Sequence, residues 1–129
     1  LSKNISKIMP EGSSIINITS LGSQRVLSNY FSVGLSKSSL ESMTRYLAIE
    51  LAEKGIKVNS ISPGIIKTRA LDSFPDDADV NKSDLYKTPA GKPLEGKDVS
   101  NLVNFLISEE SNMIRGQNII IDGGRSLVI

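Results

Sequence analysis

Tyr30 and Lys37 are a pair whose residue types and spacing could do chemistry. They stand seven positions apart in the stretch NYFSVGLSK, at the start of a long amphipathic run. Successive residues of a helix rotate by about 100°, so seven steps return almost to the starting direction and place both side chains on one face. A lysine beside a phenol favours the phenolate and lowers the tyrosine pKa, which makes tyrosine a usable general acid near pH 7. The alternative is a structural tyrosine at a helix start followed by a solvated lysine.

The composition excludes many other catalytic chemistries. The 129 residues contain no histidine and no cysteine, which excludes Ser-His-Asp and Cys-His nucleophiles, disulfides, thiolate metal sites and most zinc enzymes. The net charge of +1 gives no argument for nucleic acid. No apolar run approaches the ~20 residues that span a bilayer. We therefore expect no metal, nucleic acid or membrane partner, and proton chemistry that uses Tyr, Lys, Ser, Asp or Glu.

The order of the predicted elements indicates a parallel sheet. Short β-branched or apolar runs predict strands at 13–20, 56–62 and 116–122. Longer periodic runs predict helices at 30–54 and 96–111. The chain begins with what is predicted to be the end of a further helix, which Pro10 and Gly12 terminate. Strands that alternate with helices predict βαβ units around a buried parallel sheet. Three strands make a thin sheet with an open edge. We therefore expect residues 1–129 to form the C-terminal half of a larger doubly wound, Rossmann-type α/β domain, whose N-terminal nucleotide-binding part is missing.

The long helix is predicted to have an apolar face, a charged face and a small residue near its start. The apolar face is expected to contain Leu35, Leu40, Met43, Leu47 and Leu51. The charged face is expected to be solvated and to consist of Glu41, Glu50, Glu53, Arg45 and Lys54. Gly34 is expected to leave room for a flat ligand, and Gly55 to end the helix. The second helix is predicted to be capped near Lys97 or Asp98.

These motifs together resemble the short-chain dehydrogenase/reductases. The matching stretches are IINITS, SKSSLESMTRYLAIELAEKGIKVNSISPG and IRGQNIIIDGG, which cover essentially the whole chain. Most members of that superfamily place the catalytic tyrosine four residues before the lysine, where this chain has Val33. Its enoyl-acyl carrier protein reductases use Tyr-x6-Lys instead, which Tyr30 and Lys37 fit. The stretches SLGSQRVLSNYFSVGLSK, TPAG and MIRGQNIIIDGGRSLVI are especially similar to the NADPH-using branch of the bacterial enzymes.

The resemblance implies roles for three catalytic candidates. Tyr30 would hydrogen-bond the thioester carbonyl and stabilise the enolate that forms when hydride reaches the β-carbon. Lys37 would hold the nicotinamide ribose hydroxyls and bias the tyrosine electrostatically. Ser20 lies thirteen residues before Val33, where ordinary members have a catalytic serine and many enoyl reductases a second tyrosine. The alternative for Ser20 is a hydroxyl that satisfies a backbone group at the strand end.

The same resemblance implies cofactor and substrate contacts. Gly64 would let the backbone approach the nicotinamide, the Ile66 backbone would bond the carboxamide, and Thr68 would reach amide or phosphate oxygens, with Thr19 similarly placed at the end of the first strand. Residues 69–88 would form a substrate flap whose Leu71 and Phe74 contact the acyl chain. The alternatives are a plain turn at SPGIIKT and a solvated loop. Asp122, Gly123 and Gly124 are predicted to shape a turn.

The implied function is an NADPH-dependent enoyl-acyl carrier protein reductase of fatty acid synthesis. NADPH is inferred from resemblance alone, and NADH is possible, because no G-x-G-x-x-G loop occurs in the chain. We expect a cytoplasmic homo-oligomer, a tetramer by resemblance, with contacts from helix 30–54 and from the final segment 118–129, whose Leu127, Val128 and Ile129 are apolar. The alternatives are a superfamily member that reduces a carbonyl, and an inactive truncated copy.

Overall fold

The computed structural model describes residue 4, residues 7–67 and residues 86–128, and every structural statement below concerns these residues. Most of the helix predicted before Pro10 lies outside them. Three candidate site residues also lie outside the described residues, namely Thr68, Leu71 and Phe74. The same is true of Ile129.

Three parallel strands form the sheet. They are β1, Ser14–Ile18, β2, Lys57–Pro63, and β3, Asn118–Ile121, in the spatial order β1-β2-β3. The register sets Asn17 beside Ser60 and Ser60 beside Asn118, so polar side chains of all three strands lie level with one another. Among the described residues, β1 has a strand neighbour on one side only. The predicted parallel α/β architecture is confirmed.

The long helix, α1, covers Phe31–Glu50 and is followed by a 3₁₀ turn at Ala52–Lys54. Gly55 then takes a left-handed φ of 68°, as expected for a residue that ends a helix. The buried side of α1 differs from the predicted leucine face, since Leu35 is 59% exposed and Met43 is 40% exposed. The buried residues of this helix are Gly34, Glu41, Thr44, Leu47 and Ala48.

The apolar core lies where the second half of α1 meets β2. Leu47, Ala48 and Leu51 pack with Ile56 and Val58, and Met9 and Ile15 border this cluster. Nearer the start of α1 the buried residues are Gly34, Glu41 and Thr44, which are small or polar, and at Gly34 the helix backbone approaches the neighbouring loop closely. Burial of apolar surface therefore fixes one end of the helix, and polar contacts fix the end that carries Tyr30 and Lys37.

The second helix, α2, covers Gly96–Ile107, and its cap is Glu95 rather than the predicted Lys97 or Asp98. Asp98 is instead the third helical residue of a capping box, in which its carboxylate accepts the Glu95 backbone N–H at 3.0 Å. That hydrogen bond, assisted by Lys92 and Lys97 and opposed by desolvation, lowers the pKa of Asp98.

The turn after β3 forms as predicted. Gly123 and Gly124 both have left-handed φ angles, 63° and 84°, which favour glycine. In the described parts of the chain, no helix is both long and apolar enough to cross a membrane. Likewise, no group of three or more Asp or Glu side chains in those parts could hold a metal ion.

Candidate active site

Tyr30 lies at the start of α1, and its hydroxyl donates to Ser20 Oγ at 3.2 Å. Ser20 follows β1 directly and precedes a 3₁₀ turn at Leu21–Ser23. The residue before the tyrosine, Asn29, has a φ of 56°. Asparagine tolerates this left-handed conformation better than most residues. For Ser20, the contact with the phenol is the one observed in the described structure, rather than the alternative contact with a backbone group.

The Tyr30 ring rests on Gly22 of the 3₁₀ turn. A Cβ on Gly22 would lie only 2.5 Å from the ring atom Cε1. A Cβ on Gly34 would lie 2.6 Å from the Gly22 carbonyl oxygen, so the turn also packs directly on the backbone of α1. The space that we predicted at Gly34 for a flat ligand is therefore occupied by the protein's own loop, and this prediction is wrong.

Lys37 reaches the same end of β1 as Tyr30. Its Nζ donates to the Ile18 carbonyl oxygen at 2.9 Å, two residues before Ser20. An ammonium has three hydrogens, so two further donors are left for another partner. The arrangement places a phenol, a serine hydroxyl and an ammonium around the carboxyl end of one parallel strand. Ligands of doubly wound folds bind at this edge of the sheet.

The predicted cofactor residues Thr19 and Ile66 follow β1 and β2 at the same edge, and they differ in whether the protein already engages their polar groups. Thr19 is buried, and its hydroxyl lies within hydrogen-bond distance of the Ile61 carbonyl (3.3 Å) and of Asn118 Oδ1 (3.2 Å). Its side chain is therefore engaged inside the protein. The Ile66 backbone makes no hydrogen bond to another backbone group in the described structure, so its N–H and C=O remain available.

Gly64 is required by the packing of the protein itself. A Cβ there would lie 2.8 Å from Asp122 Cβ. The Asp122 carboxylate accepts the backbone N–H groups of Gly124 at 2.9 Å and Ser126 at 2.7 Å. Burial by itself raises the pKa of Asp122, but the hydrogen bonds from Ser126 and Gly124, with the charge of Arg25, hold this pKa below its ordinary value. The close approach of Gly64 to Asp122 joins the SPG turn at residues 62–64 to the turn after β3.

Comparison with known proteins places these motifs in a family. A family model described as enoyl-(acyl carrier protein) reductase matches residues 1–126. The chain belongs to the enoyl-(acyl carrier protein) reductase family.

The relatives that this chain matches are longer than the chain itself. It is 33% identical over 124 residues to enoyl-(acyl-carrier-protein) reductase (NADH) FabI of Bacillus cereus, covering 96% of this chain and 48% of the relative. It is 32% identical to 1-cyclohexenylcarbonyl-CoA reductase of Streptomyces collinus, over 95% of this chain and 44% of the relative. The crystal structure of the B. cereus enoyl-acyl carrier protein reductase with NADP⁺ and indole naphthyridinone superposes with a TM-score of 0.88 at 32% identity, covering 98% and 49% of the two chains. The chain spans about half the length of the curated relatives it matches.

Glu41 is a second residue at this site that sequence reasoning placed wrongly. It was predicted on a solvated face, but it is 6% exposed and accepts hydrogen bonds from Ser23, Gln24 and Asn118. A signal was present in the sequence, because Glu41 falls in helical register with Gly34, Thr44 and Ala48. The residue was nevertheless predicted on the solvated face because it is charged. Glu50, Glu53, Arg45 and Lys54 are exposed, as predicted.

A groove of about 580 Å³ opens beside the Tyr30 ring. Its walls come from the loop after β1 and from the first turns of α1, including Leu27, Phe31 and Leu35. The aromatic and aliphatic side chains of Phe31 and Leu35 are exposed. The Tyr30 phenol therefore lies between a polar strand end and an apolar surface.

Proposed function

We propose that the protein carrying this chain is an enoyl-thioester reductase of fatty acid synthesis, which reduces the 2,3 double bond of an enoyl group held on acyl carrier protein. The observation that carries this proposal is the Tyr-x6-Lys pair at the end of β1. Tyr30 lies against Ser20, while Val33 stands where carbonyl-reducing superfamily members have their tyrosine. Membership of the enoyl-(acyl carrier protein) reductase family supports the same activity.

The residues at the end of β1 fit a nicotinamide cofactor. Lys37 keeps two donors that could hold the ribose hydroxyls, and the Ile66 backbone, which bonds to no other backbone group among the described residues, could pair with the carboxamide. We also propose a contact from Thr68, which lies outside the described residues. Because the Thr19 hydroxyl is engaged with Ile61 and Asn118, we propose that Thr19 contributes through its backbone or through the shape of the site. We propose that the dinucleotide phosphates bind to a part of the reductase domain that these 129 residues do not include.

In the proposed reaction the cofactor supplies a hydride to the β-carbon of the enoyl group. Tyr30 donates a hydrogen bond to the thioester carbonyl and stabilises the negative charge that develops on its oxygen. Ser20 fixes the orientation of the phenol through the 3.2 Å contact. Lys37 supplies positive charge at the same end of β1, and a proton taken up from solvent at the α-carbon completes the reduction of the enolate. We propose that Leu71 and Phe74 contact the acyl chain.

For the cofactor we propose NADPH, supported by the likeness of the segment around Ser20 to the NADPH-using branch. The B. cereus relative is named for NADH, and the solved structure of a B. cereus enoyl-acyl carrier protein reductase contains NADP⁺. A direct comparison of NADPH and NADH oxidation, with the same thioester, distinguishes the two. A kcat/KM at least tenfold higher for NADH would overturn the proposed preference without affecting the proposed reaction.

A second candidate substrate is an enoyl thioester of coenzyme A. The specific observation in its favour is the 32% identity to 1-cyclohexenylcarbonyl-CoA reductase. The chemistry at the α- and β-carbons is the same for both thioesters, so only the carrier differs. The two candidate substrates therefore differ in the carrier that holds the enoyl group, and the site residues do not distinguish them.

The experiment that tests the proposal uses the complete gene product that carries these residues. Crotonyl-acyl carrier protein, crotonyl-CoA and a simple ketone are compared as substrates, with cofactor oxidation followed by absorbance. We expect the acyl carrier protein thioester to have the highest kcat/KM and the ketone to be inert. A higher value for crotonyl-CoA would favour the second candidate. Preferential reduction of the ketone would refute both, and no turnover at all would favour an inactive copy.

We also propose that the protein is a cytoplasmic homo-oligomer, with a tetramer as the expected state. Phe31, Tyr46 and Ile49 are exposed along α1, and Leu127 and Val128 are exposed at the tail. Apolar side chains grouped in this way are typical of surfaces that another subunit covers. Light scattering of the complete gene product at micromolar concentration measures the mass. A monomeric mass would reject this proposal.

A further inference from the structure

Glu41 is a buried carboxylate whose role the proposed reaction does not explain. It is 6% exposed on the sheet-facing side of α1. Within the described part of the chain, no lysine or arginine forms an ion pair with it. A buried carboxylate is costly unless hydrogen bonds replace its water. The position is therefore maintained by specific donors.

The donors to Glu41 come from two different parts of the fold. Its Oε1 accepts the hydroxyl of Ser23 and, at 2.9 Å, Nδ2 of Asn118; its Oε2 accepts Nε2 of Gln24 at 3.2 Å. Ser23 and Gln24 belong to the loop after β1, and Asn118 is the first residue of β3. One carboxylate thus connects α1, the loop and the far strand of the sheet.

The far end of this network is itself held in place. Asn118 Oδ1 accepts hydrogen bonds from Ser60 Oγ at 2.9 Å and from Thr19 Oγ1 at 3.2 Å. The amide group of Asn118 is therefore oriented by contacts with β2 and with the end of β1. Rotating the amide would turn its oxygen towards Glu41 Oε1, and two acceptors cannot share a hydrogen bond. Asn118 thus presents its N–H to Glu41 in a fixed direction.

The loop that Glu41 holds is also the loop that contacts Tyr30. Ser23 N–H and Ser23 Oγ both lie within hydrogen-bond distance of the Ser20 carbonyl oxygen, at 3.0 and 2.7 Å. Ser20 accepts the hydrogen bond of the phenol, and Gly22 supports its ring. A shift of Ser23 away from α1 would therefore move both contacts of the phenol together.

We propose that Glu41 is a positioning residue, which fixes the loop at residues 20–24 against α1 and thereby orients the Tyr30 hydroxyl. Glu41 does not touch the substrate or the cofactor in this proposal. The catalytic consequence rests on the proposed function, whereas the claim that Glu41 fixes the loop does not. A glutamine at position 41 has one side-chain oxygen and would turn an N–H towards one of the present donors. The present hydrogen bond from that group would then be lost, and the other two would lose the charge that strengthens them.

The test compares Glu41→Gln with Thr44→Val in the complete gene product. Thr44 is a matched control because it lies on the same buried side of α1 and is fully buried. Its hydroxyl accepts from Asn17 of β1 and donates to the Leu40 carbonyl, both at 2.9 Å, and neither of these described partners belongs to the loop. Removing its polar contacts disturbs the helix without disturbing residues 20–24.

We expect Glu41→Gln to lower kcat for enoyl reduction at least tenfold, because misplacing a reacting group by 1 Å can lower the rate about 10²-fold. The KM for the cofactor should stay within about twofold of the parent value. Thr44→Val should keep kcat within about twofold. A purely structural role would lower kcat equally in the two variants at equal loss of melting temperature, and that result would overturn the proposal.

Hydrogen exchange supplies a readout that does not need activity. The backbone N–H groups of Ser23 and Gln24 donate to Ser20 and Leu21, both at 3.0 Å. We expect both amides to exchange at least tenfold faster in Glu41→Gln and at the parent rate in Thr44→Val. Unchanged exchange in Glu41→Gln would overturn the proposal. If the parent protein does not reduce enoyl thioesters, the proposed function fails, but the exchange measurement still decides whether Glu41 fixes the loop.

A milder variant covers the case in which Glu41→Gln does not fold. Gln24 is exposed, so Gln24→Ala removes one hydrogen bond to Glu41 at the surface and leaves the buried residues intact. We expect the amides of residues 23 and 24 to exchange about threefold faster and kcat to fall by a similar factor, the size of one ordinary hydrogen bond. Parent-like exchange and parent-like kcat in this variant would overturn the proposal as well.

Discussion

If the proposed reductase function holds, Gly22→Ala should strongly lower activity without removing any functional group. Gly22 precedes Tyr30 by eight residues, and a Cβ at this position would lie 2.5 Å from ring atom Cε1, whereas ordinary contact begins near 3.4 Å. The ring or the turn must therefore move by about 0.9 Å. The turn has little room to retreat, since the Gly22 carbonyl already packs against Gly34.

A displacement of this size acts on catalysis more than on folding. Misplacing a reacting group by 1 Å costs about 10²-fold in rate, and overpacking of this kind costs about 1–3 kcal/mol of stability. We expect kcat for the crotonyl thioester to fall about 10²-fold. The Kd for NADPH, measured by calorimetry, should stay close to the parent value, because Gly22 supports the phenol and is not among the predicted cofactor contacts.

Gly96→Ala is the matched control. Gly96 begins α2, and a Cβ there would meet no atom within 4 Å. Alanine is the better helix former by up to about 1 kcal/mol, so the melting temperature should hold or rise. We expect parent-like kcat for this variant. If Gly22→Ala kept kcat within about threefold of the parent, the argument that this glycine positions the phenol would be refuted.

Three further predictions concern the site and its frame. Tyr30→Phe should lower kcat about 10²-fold or more with little change in cofactor affinity, and full rescue by adding Val33→Tyr would show that the Tyr-x6-Lys spacing is the wrong choice. Lys37→Ala should weaken cofactor binding and turnover together, and a Kd within about twofold of the parent would contradict the ribose role. Asp122→Asn should destabilise the fold by about 1–3 kcal/mol near neutral pH, because one backbone N–H loses its acceptor. Hydrogen bonds lower the folded pKa of Asp122 despite its burial, so its contribution to the free energy of unfolding is complete above the unfolded pKa of about 3.8. That contribution is lost as the pH falls through the folded pKa. If the difference in unfolding free energy between the parent and Asp122→Asn did not shrink in this acid range, the reasoning would be contradicted.

The sequence by itself determined the order of the elements and the spacing of the chemical groups. Alternating strands and helices predicted a parallel sheet, because such strands need a helical crossover between them. Gly55, and the pair Gly123 and Gly124, predicted chain reversals that the structure contains. These features are local, since each depends on residues a few positions apart. The seven-residue spacing of Tyr30 and Lys37 is local for the same reason.

The sequence did not determine which residues of α1 are buried. Its leucine pattern predicted burial of Leu35 and Met43, which are exposed. The same reasoning placed Glu41 in water because charged residues are rarely buried without partners. The partners exist, but Asn118 lies 77 residues away in sequence. Helical periodicity shows which residues share one face of a helix, but it does not show which other elements of the fold that face contacts.

Only the tertiary structure decided how the phenol is supported. Gly22 is an unremarkable loop residue in the sequence, and the reason for its size appears only when α1 brings the Tyr30 ring back over it. Gly34 is needed for contact with the loop rather than with a ligand. The positions of the reacting groups thus follow from local spacing. Their orientation depends on contacts between the loop, α1 and β3, which form only when the sheet has assembled.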